Sequence, residues 1–140
     1  MGYVLRSLFA MLPVLSMVAP AVADEPNRLA NTQWELESIV EGRTEWRPSG
    51  RTEVTLVFQA DGTANGKAPC NYYFASYTVE GDTLSMSSAG STRMFCEGVM
   101  EQEGRYLRAL EQAGRFELSG DELRIEYGNG QGTLIFERDD

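Results

Sequence analysis

The residue types that could carry chemistry in this chain are few, because its 140 residues include no histidine and only two cysteines. Without histidine there is no Ser-His-Asp triad, no Cys-His pair and no histidine general base. Two cysteines cannot by themselves supply the four ligands of a structural zinc site. These absences remove most hydrolytic and metal chemistry, so we expect no catalytic residue, no metal site and no cofactor.

The two cysteines, Cys70 and Cys96, allow two interpretations. A nucleophilic cysteine needs a base or a strongly positive environment, and only Arg93 lies near in sequence. The other interpretation is a structural disulfide, which suits an exported domain in an oxidising compartment. Closing a loop of about 26 residues would stabilise the fold by roughly 3.5 kcal/mol in the chain-entropy model. We favour the disulfide.

Carboxylates are abundant, with 21 Asp and Glu in the chain. A glycosidase pair requires two carboxylates about 5–10 Å apart, and neighbours such as Glu101–Glu103 or Asp121–Glu122 are expected by chance in so acidic a chain. The run Asp61–Gly66 matches a calcium loop poorly, because its third position lacks an acid or amide and Tyr72 stands where the bidentate glutamate should be. We interpret this run as a turn.

Four aromatic residues, Tyr72, Tyr73, Phe74 and Tyr77, lie close together in sequence and could stack bases or a sugar ring. Proteins that bind single strands combine such rings with a basic groove, whereas this chain has a net charge of −9. Alternation along a strand would place some of the rings in the core. We therefore favour packing over binding.

A separate candidate interaction patch lies in the segment Gly42–Arg51, which is predicted to be a loop. Trp46 lies there among Arg43, Arg47 and Arg51, and an aromatic side chain among arginines can form a recognition patch. The tryptophan could equally cover the end of the sheet, which is the role we favour.

The first 23 residues have the pattern of a secretory signal peptide. Arg6 is their only charged residue, Leu8–Val18 is apolar, and the segment ends in Ala21-Val22-Ala23. The apolar run is too short for a membrane span, which needs about 20 residues. We expect cleavage after Ala23, and a periplasmic or secreted product without a membrane anchor.

Residues 24–140 have the patterns of one mainly β domain. Alternating apolar residues and turn residues every 8–12 positions predict antiparallel strands in a sandwich or barrel. Spacings of three and four predict one inserted helix over Val99–Ala113, with Gly114 as its C-terminal cap. The predicted strands are Thr32–Val40, Glu53–Gln59, Tyr73–Val79, Thr83–Ser87, Arg115–Ser119, Glu122–Tyr127 and Thr133–Arg138.

Several motifs, in this order, resemble the META-domain (HslJ-like) family. They are Trp34–Leu36, Cys70-Asn71 followed by Tyr77, Thr92–Cys96, Met100 with Glu103–Leu110, and Leu134–Phe136. The resemblance runs from about Leu29 to Arg138. The chain departs from the family where Ala75-Ser76 replaces a common glycine, and it has no lipobox cysteine.

The resemblance implies a curled antiparallel sheet, similar to a small lipocalin-like barrel, with one helix and paired cysteines. Family members are mostly exported or lipid-anchored bacterial envelope proteins, some linked to stress, and no enzymatic activity is established for the domain. We therefore expect a monomeric, non-catalytic interaction or structural module linked to envelope stress, with an envelope or extracellular protein as partner. The alternative is a carrier that holds a small apolar ligand inside the barrel. The net charge of −9 argues against nucleic acid and anionic membranes.

Intact mass of the exported protein tests the leader and the disulfide together. We expect the chain to begin at Asp24 and to weigh two hydrogens less than the dithiol form. Thiol labelling of both Cys70 and Cys96 under native, oxidising conditions would contradict the disulfide.

Overall fold

The computed structural model describes residues 2–4, 10–18, 26–49 and 52–139. The expected cleavage point after Ala23 lies outside these residues, and so does Arg51 of the candidate patch. Within the described segments, no helix combines the length and the apolar character needed to cross a membrane.

Antiparallel strands make up most of the described chain, and one helix interrupts them. The elements are β1 Thr32–Glu41, β2 Thr44–Trp46, β3 Thr55–Phe58, β4 Thr63–Lys67, β5 Tyr72–Glu80, β6 Thr83–Ser91, α1 Met100–Glu111, β7 Ala113–Ser119, β8 Glu122–Tyr127 and β9 Gly132–Arg138.

The sheet closes on itself because β1 pairs with both β3 and β9. The ring order β1-β3-β4-β5-β6-β7-β8-β9 forms an eight-stranded barrel, and β2 pairs with β1 outside this ring. Closure removes the exposed edges that an open sheet would present. The prediction of a mainly β fold with a barrel-like sheet and one inserted helix is confirmed.

Two segments predicted as irregular are strands. Trp46 ends β2 instead of lying in a loop, because it pairs with Ile39 of β1. Residues Thr63–Lys67 form β4, although Asp61–Gly66 was expected to be a turn, and only Asp61-Gly62 turns the chain. Asn65 and Gly66 disfavour strands intrinsically, so the ladders with β3 and β5 determine their conformation.

The helix is shorter than its sequence pattern predicts, and Gly114 is not its cap. The C-terminal cap position is occupied by Gln112, whose N–H donates to the carbonyls of Arg108 and Ala109 at 3.2 Å. Gly114 belongs to β7, which begins two residues after the helix ends. Strand pairing with β8 therefore starts earlier than the glycine position suggested.

Inward-facing side chains fill the barrel. Tyr106 of α1 is fully buried and makes edge-to-face contacts with Tyr73 of β5 at 5.7 Å and Phe136 of β9 at 6.4 Å. Its hydroxyl lies 2.7 Å from the Tyr73 hydroxyl. The helix is therefore packed against strands from both sides of the barrel. The largest fully buried side chains are Trp34, Tyr106, Phe58, Phe136, Leu29, Ile39, Leu56, Leu84, Leu123, Ile125, Leu134 and Val54.

The helix also lies beside the weakest junction in the barrel. Strands β6 and β7 share a single register pair, Thr83 with Arg115. Leu107 and Leu110 of α1 approach Met86 of β6, and the crevice between them has a volume of only about 20 Å³. Side chains of the helix thus fill the space beside β6 where strand pairing stops.

Substitution at Gly66 tests the close approach of β3 and β4. A Cβ at this position would overlap the backbone carbonyl of Thr55, so we expect Gly66→Ala to lower the free energy of unfolding by about 3 kcal/mol. Chemical denaturation measures this change.

Gly104→Ala is the matched control. Its Cβ would meet only the flexible guanidinium end of Arg108, and alanine favours a helix by up to about 1 kcal/mol over glycine. Equal effects of the two substitutions would contradict the packing described for Gly66.

Candidate interaction surface

A buried carboxylate, that of Glu103 in the first turns of α1, connects the helix to the start of β5. Glu103 is only 4% exposed. Its Oε1 accepts hydrogen bonds from the backbone N–H groups of Cys70, at 2.9 Å, and Asn71, at 2.6 Å. Its Oε2 accepts a third from Nδ2 of Asn71 at 2.7 Å. Hydrogen bonds to an ionised acceptor are about twice as strong as neutral ones, and they compensate the cost of burying the charge.

Asn71 extends this network to the segment after β6. Its Oδ1 accepts hydrogen bonds from the N–H of Met94 at 2.6 Å and from the hydroxyl of Thr92 at 2.8 Å. Its Nδ2 also lies 3.1 Å from the carbonyl of Met94. The Asn71 side chain therefore uses both its donor and its acceptor atoms, and it fixes the backbone of residues 92–94.

The disulfide is the second link between the same two segments. Cys70 and Cys96 are joined with an S–S distance of 2.05 Å and a Cα–Cα distance of 5.8 Å. Both sulfurs are in the bond, so in this structure neither cysteine offers a thiolate nucleophile. The disulfide holds Cys96 at the end of residues 92–96, and Asn71 binds Thr92 and Met94 in the same segment.

Large apolar side chains are exposed on these fixed segments. Tyr72 and Phe74 of β5 are 60% and 55% exposed, and Met94 and Phe95 are 50% and 81% exposed. Among residues 26–49 and 52–139, these four are all the large hydrophobic side chains classed as exposed. Together with the neighbouring Arg93, we call them the apolar surface.

Strand alternation divides the aromatic cluster of the sequence into two pairs. Tyr73 and Tyr77 face the core and are buried, as expected. Tyr72 and Phe74 face outward, so packing in the core accounts for only half of the cluster. The tip of the Phe74 ring lies over Gly90 of β6, where an added Cβ would be 2.8 Å from Cζ. The glycine thus leaves room for the ring to lie across the outside of the sheet.

The segments meet because β5 and β6 stay paired up to the network, with one register shift between Phe74 and Ala75. Tyr73 is opposite Ser91, and the N–H of Thr92 donates to the carbonyl of Tyr72 at 2.9 Å. The exposed residues 93–95 therefore continue β6 beside the start of β5.

Sequence reasoning identified Cys70 and Cys96 but missed Glu103, whose carboxylate accepts hydrogen bonds from the backbone of Cys70 and Asn71. The signal available was a glutamate on the apolar stripe of a predicted helix.

The structure places the Trp46 patch elsewhere and gives its residues different roles. Trp46 is half-buried and packs against the core. This is the position expected of a tryptophan that covers the end of the sheet. Arg47 pairs with Glu45 at 2.9 Å, and Arg43 is exposed. Recognition by Trp46, Arg43, Arg47 and Arg51 stays a prediction.

The other sequence candidates have local structural roles. The Asp61 carboxylate accepts hydrogen bonds from the N–H and the hydroxyl of Thr63, at 3.0 and 2.6 Å, and these bonds lower its pKa. This geometry is that of a turn. Among the described residues, no group of three or more Cys, Asp and Glu side chains is arranged to hold a metal ion.

A cluster of carboxylates lies on the outer wall of the barrel, on β1, on and just after β9, and just before β3. Glu35 of β1 is directly opposite Glu137 of β9, and like charges at opposed positions destabilise a sheet. Partial burial raises the pKa of Glu35, and the charges of Glu53, Asp139 and Glu137 raise it further. We call Glu35, Glu53, Glu137 and Asp139 the acidic cluster.

These features define a small, closed antiparallel barrel with one inserted helix and an exposed apolar surface that hydrogen bonds and a disulfide support. The sequence pattern of the META domain matches residues 27–140, and the chain belongs to this family. No curated protein matches the chain.

The solved structures that are similar to the chain include the following three. One is an NMR structure of a protein from Burkholderia xenovorans, with 28% identity and a TM-score of 0.67, covering 88% of this chain and 96% of its own. A crystal structure of a DUF4847 family protein from Bacteroides vulgatus has 12% identity and a TM-score of 0.64, covering 81% and 97%. Another NMR structure has 20% identity and a TM-score of 0.58, covering 78% and 90%. At 12% and 20% identity, the last two structures show a similar fold and nothing further about this chain.

Substitution of Glu103 tests the buried network. In Glu103→Gln an NH₂ group replaces one carboxylate oxygen. This new donor then faces one of the N–H donors of Cys70 or Asn71 that the oxygen had accepted from. Rotation of the Asn71 amide cannot relieve this conflict, because its Oδ1 already accepts two hydrogen bonds. We expect the free energy of unfolding to fall by about 3 kcal/mol, measured by denaturant titration.

The matched control is Glu101→Gln, two residues earlier in the same helix, where the side chain is exposed. It should change stability by no more than about 0.5 kcal/mol. Equal stability of the two variants would show that the Glu103 hydrogen bonds contribute little.

Proposed function

We propose that this protein is a non-catalytic binding module of the bacterial cell envelope, and that it docks another protein through the apolar surface. The observation that carries this proposal is the gathering of Tyr72, Phe74, Met94 and Phe95 on two adjacent, firmly held segments. Core packing does not require these side chains, because they are half exposed or more.

The composition of the apolar surface supports a protein partner. The centres of protein interfaces are enriched in Tyr, Phe, Met and Arg and depleted in Lys, Asp and Glu. The apolar surface consists of such enriched residues, and Arg93 is its charged member. It carries no carboxylate, although the chain has 21 acidic residues.

The size of the surface is also appropriate. Aromatic side chains present about 150–250 Å² each, so the exposed fractions of Tyr72, Phe74 and Phe95 correspond to roughly 400 Å² of accessible area, and Met94 adds to it. Soluble monomers rarely expose a larger apolar patch without a binding role. A standard interface buries about 800 Å² on each partner, so the apolar surface could supply most of one side.

The hydrogen bonds and the disulfide beneath the surface reduce the entropic cost of binding. Residues 92–96 are held by Asn71 and by the Cys70–Cys96 bond. A segment that is already ordered loses less freedom when a partner binds. This arrangement supports a role in which residues 93–95 are presented to a partner in one conformation.

Export and envelope location are part of the proposal. The leader-like pattern of residues 1–23 supports export, and a structural disulfide is compatible with an oxidising compartment. A role in envelope stress follows from the family resemblance alone.

The filled interior weighs against the alternative of a small apolar ligand carrier. A carrier needs an apolar cavity of about 300 Å³ or more, whereas the crevice that reaches Tyr73, Met86 and Leu110 has a volume of about 20 Å³. A surface cleft of about 360 Å³ is lined largely by charged groups, including Arg28, Arg115 and Glu117. That lining does not suit an apolar molecule.

Site-specific photocrosslinking tests the proposal in the host that expresses the protein. A photoreactive phenylalanine analogue at position 95 should give a protein adduct that disappears when Tyr72→Ser is added. The same analogue at Ser85, an exposed position on β6, is the control and should give no such adduct. Equal crosslinking at both positions, or none at position 95, would refute docking through the apolar surface.

A further inference from the structure

One row of the barrel wall contains two residues of the acidic cluster, Glu35 and Glu137, and one residue of the apolar surface, Tyr72. Across the sheet, Glu137 is opposite Glu35, Glu35 is opposite Thr55, and Lys67 is opposite Tyr72. The N–H of Lys67 donates to the Thr55 hydroxyl at 3.0 Å, which joins the two halves of the row. Glu35, Thr55 and Tyr72 face outward, because both sequence neighbours of each are buried. Glu137 and Lys67 each have one buried neighbour, Phe136 and Ala68, and are themselves at least partly exposed.

The spacing along this row follows from sheet geometry. Three strand-to-strand steps separate Glu35 on β1 from Tyr72 on β5, through β3 and β4. At about 4.8 Å for each step, the two positions lie about 14 Å apart. An extended polypeptide covers that distance with about five residues.

The acidic cluster is not neutralised within the described chain. Ion pairs between described residues use Glu37, Glu45, Asp82, Asp121 and Glu122, and none uses Glu35, Glu53, Glu137 or Asp139. Strand pairing nevertheless places Glu35 opposite Glu137, at a cost in stability. A cation brought by a partner would relieve this repulsion.

We infer that the apolar surface and the acidic cluster form one two-part docking site for a basic protein segment. This segment presents an apolar side chain to Tyr72, Phe74 and Phe95. It presents cationic side chains to Glu35, about 14 Å from Tyr72, and to Glu137, one strand further along the row and about 19 Å from Tyr72. The inference rests on the proposed function and adds the chemistry of the partner.

The negative charge of the chain favours a basic segment as the partner of this site. The chain carries a net charge of −9, so its field attracts basic partners and speeds their association. A second copy of the chain carries the same negative charge and is repelled. Lys67 lies between the two parts of the site and disfavours a partner cation at that point, which fixes the register of the bound segment.

The test begins with a displayed library of random peptides of about 12 residues, selected on the purified protein. Recovered peptides should combine aromatic or aliphatic residues with a net positive charge. One recovered peptide, synthesised free, then serves as the probe. Phe95→Ser should weaken its binding about tenfold at every salt concentration.

The acidic half is tested with the same probe. The double variant Glu35→Gln, Glu137→Gln should weaken binding about tenfold at low salt and much less near 0.5 M salt, where charges are screened. The control is Glu80→Gln, Glu126→Gln, which changes the net charge equally at exposed positions outside the row. It should leave the affinity within about twofold of the original.

The outcomes separate the two proposals. Binding that depends on Phe95 but not on Glu35 and Glu137 overturns the inference and leaves the proposed function standing. Failure to recover any peptide that depends on Phe95 overturns both. Sedimentation of the protein alone adds a third result, because a dimer that Phe95→Ser dissociates would identify a second copy as the occupant and overturn the inference.

Discussion

The buried Glu103 carboxylate is the interaction on which the presentation of the apolar surface depends. It receives three hydrogen bonds from Cys70 and Asn71 at 2.6–2.9 Å. An ionised group without such partners would be very costly to bury. The position of α1, the start of β5 and the side-chain conformation of Asn71 therefore depend on one another. Because Asn71 in turn binds Met94, the same constraint reaches the exposed segment after β6.

This coupling explains how a small domain can display apolar side chains without collapsing around them. Tyr72 and Phe74 are held outward by the alternation of β5, whose opposite face carries the buried Tyr73 and Tyr77. Residues 93–95 cannot fold back onto the core, since Asn71 and the disulfide hold both ends of their segment. Ordering the site is thus part of folding the barrel, and binding need not provide it.

Sequence patterns predicted most strands well because inward and outward residues alternate along them. The strand Glu122–Tyr127 has its predicted bounds, and Thr133–Arg138 differs by one residue. The errors fall where local preference conflicts with pairing: Asn65 and Gly66 form β4 because strands flank them on both sides. Trp46 extends the sheet for the same reason, since it pairs with Ile39.

The sequence by itself determined the absence of histidine chemistry, the acidic charge, the mainly β pattern and the family resemblance, because these follow from residue type and local order. Only the tertiary structure decided that β1 meets β9 and that Glu103 binds the backbone 32 residues before it. It also decided that Glu35 and Tyr72 share one row. Such relations depend on how distant strands align, and no local propensity specifies the register between them.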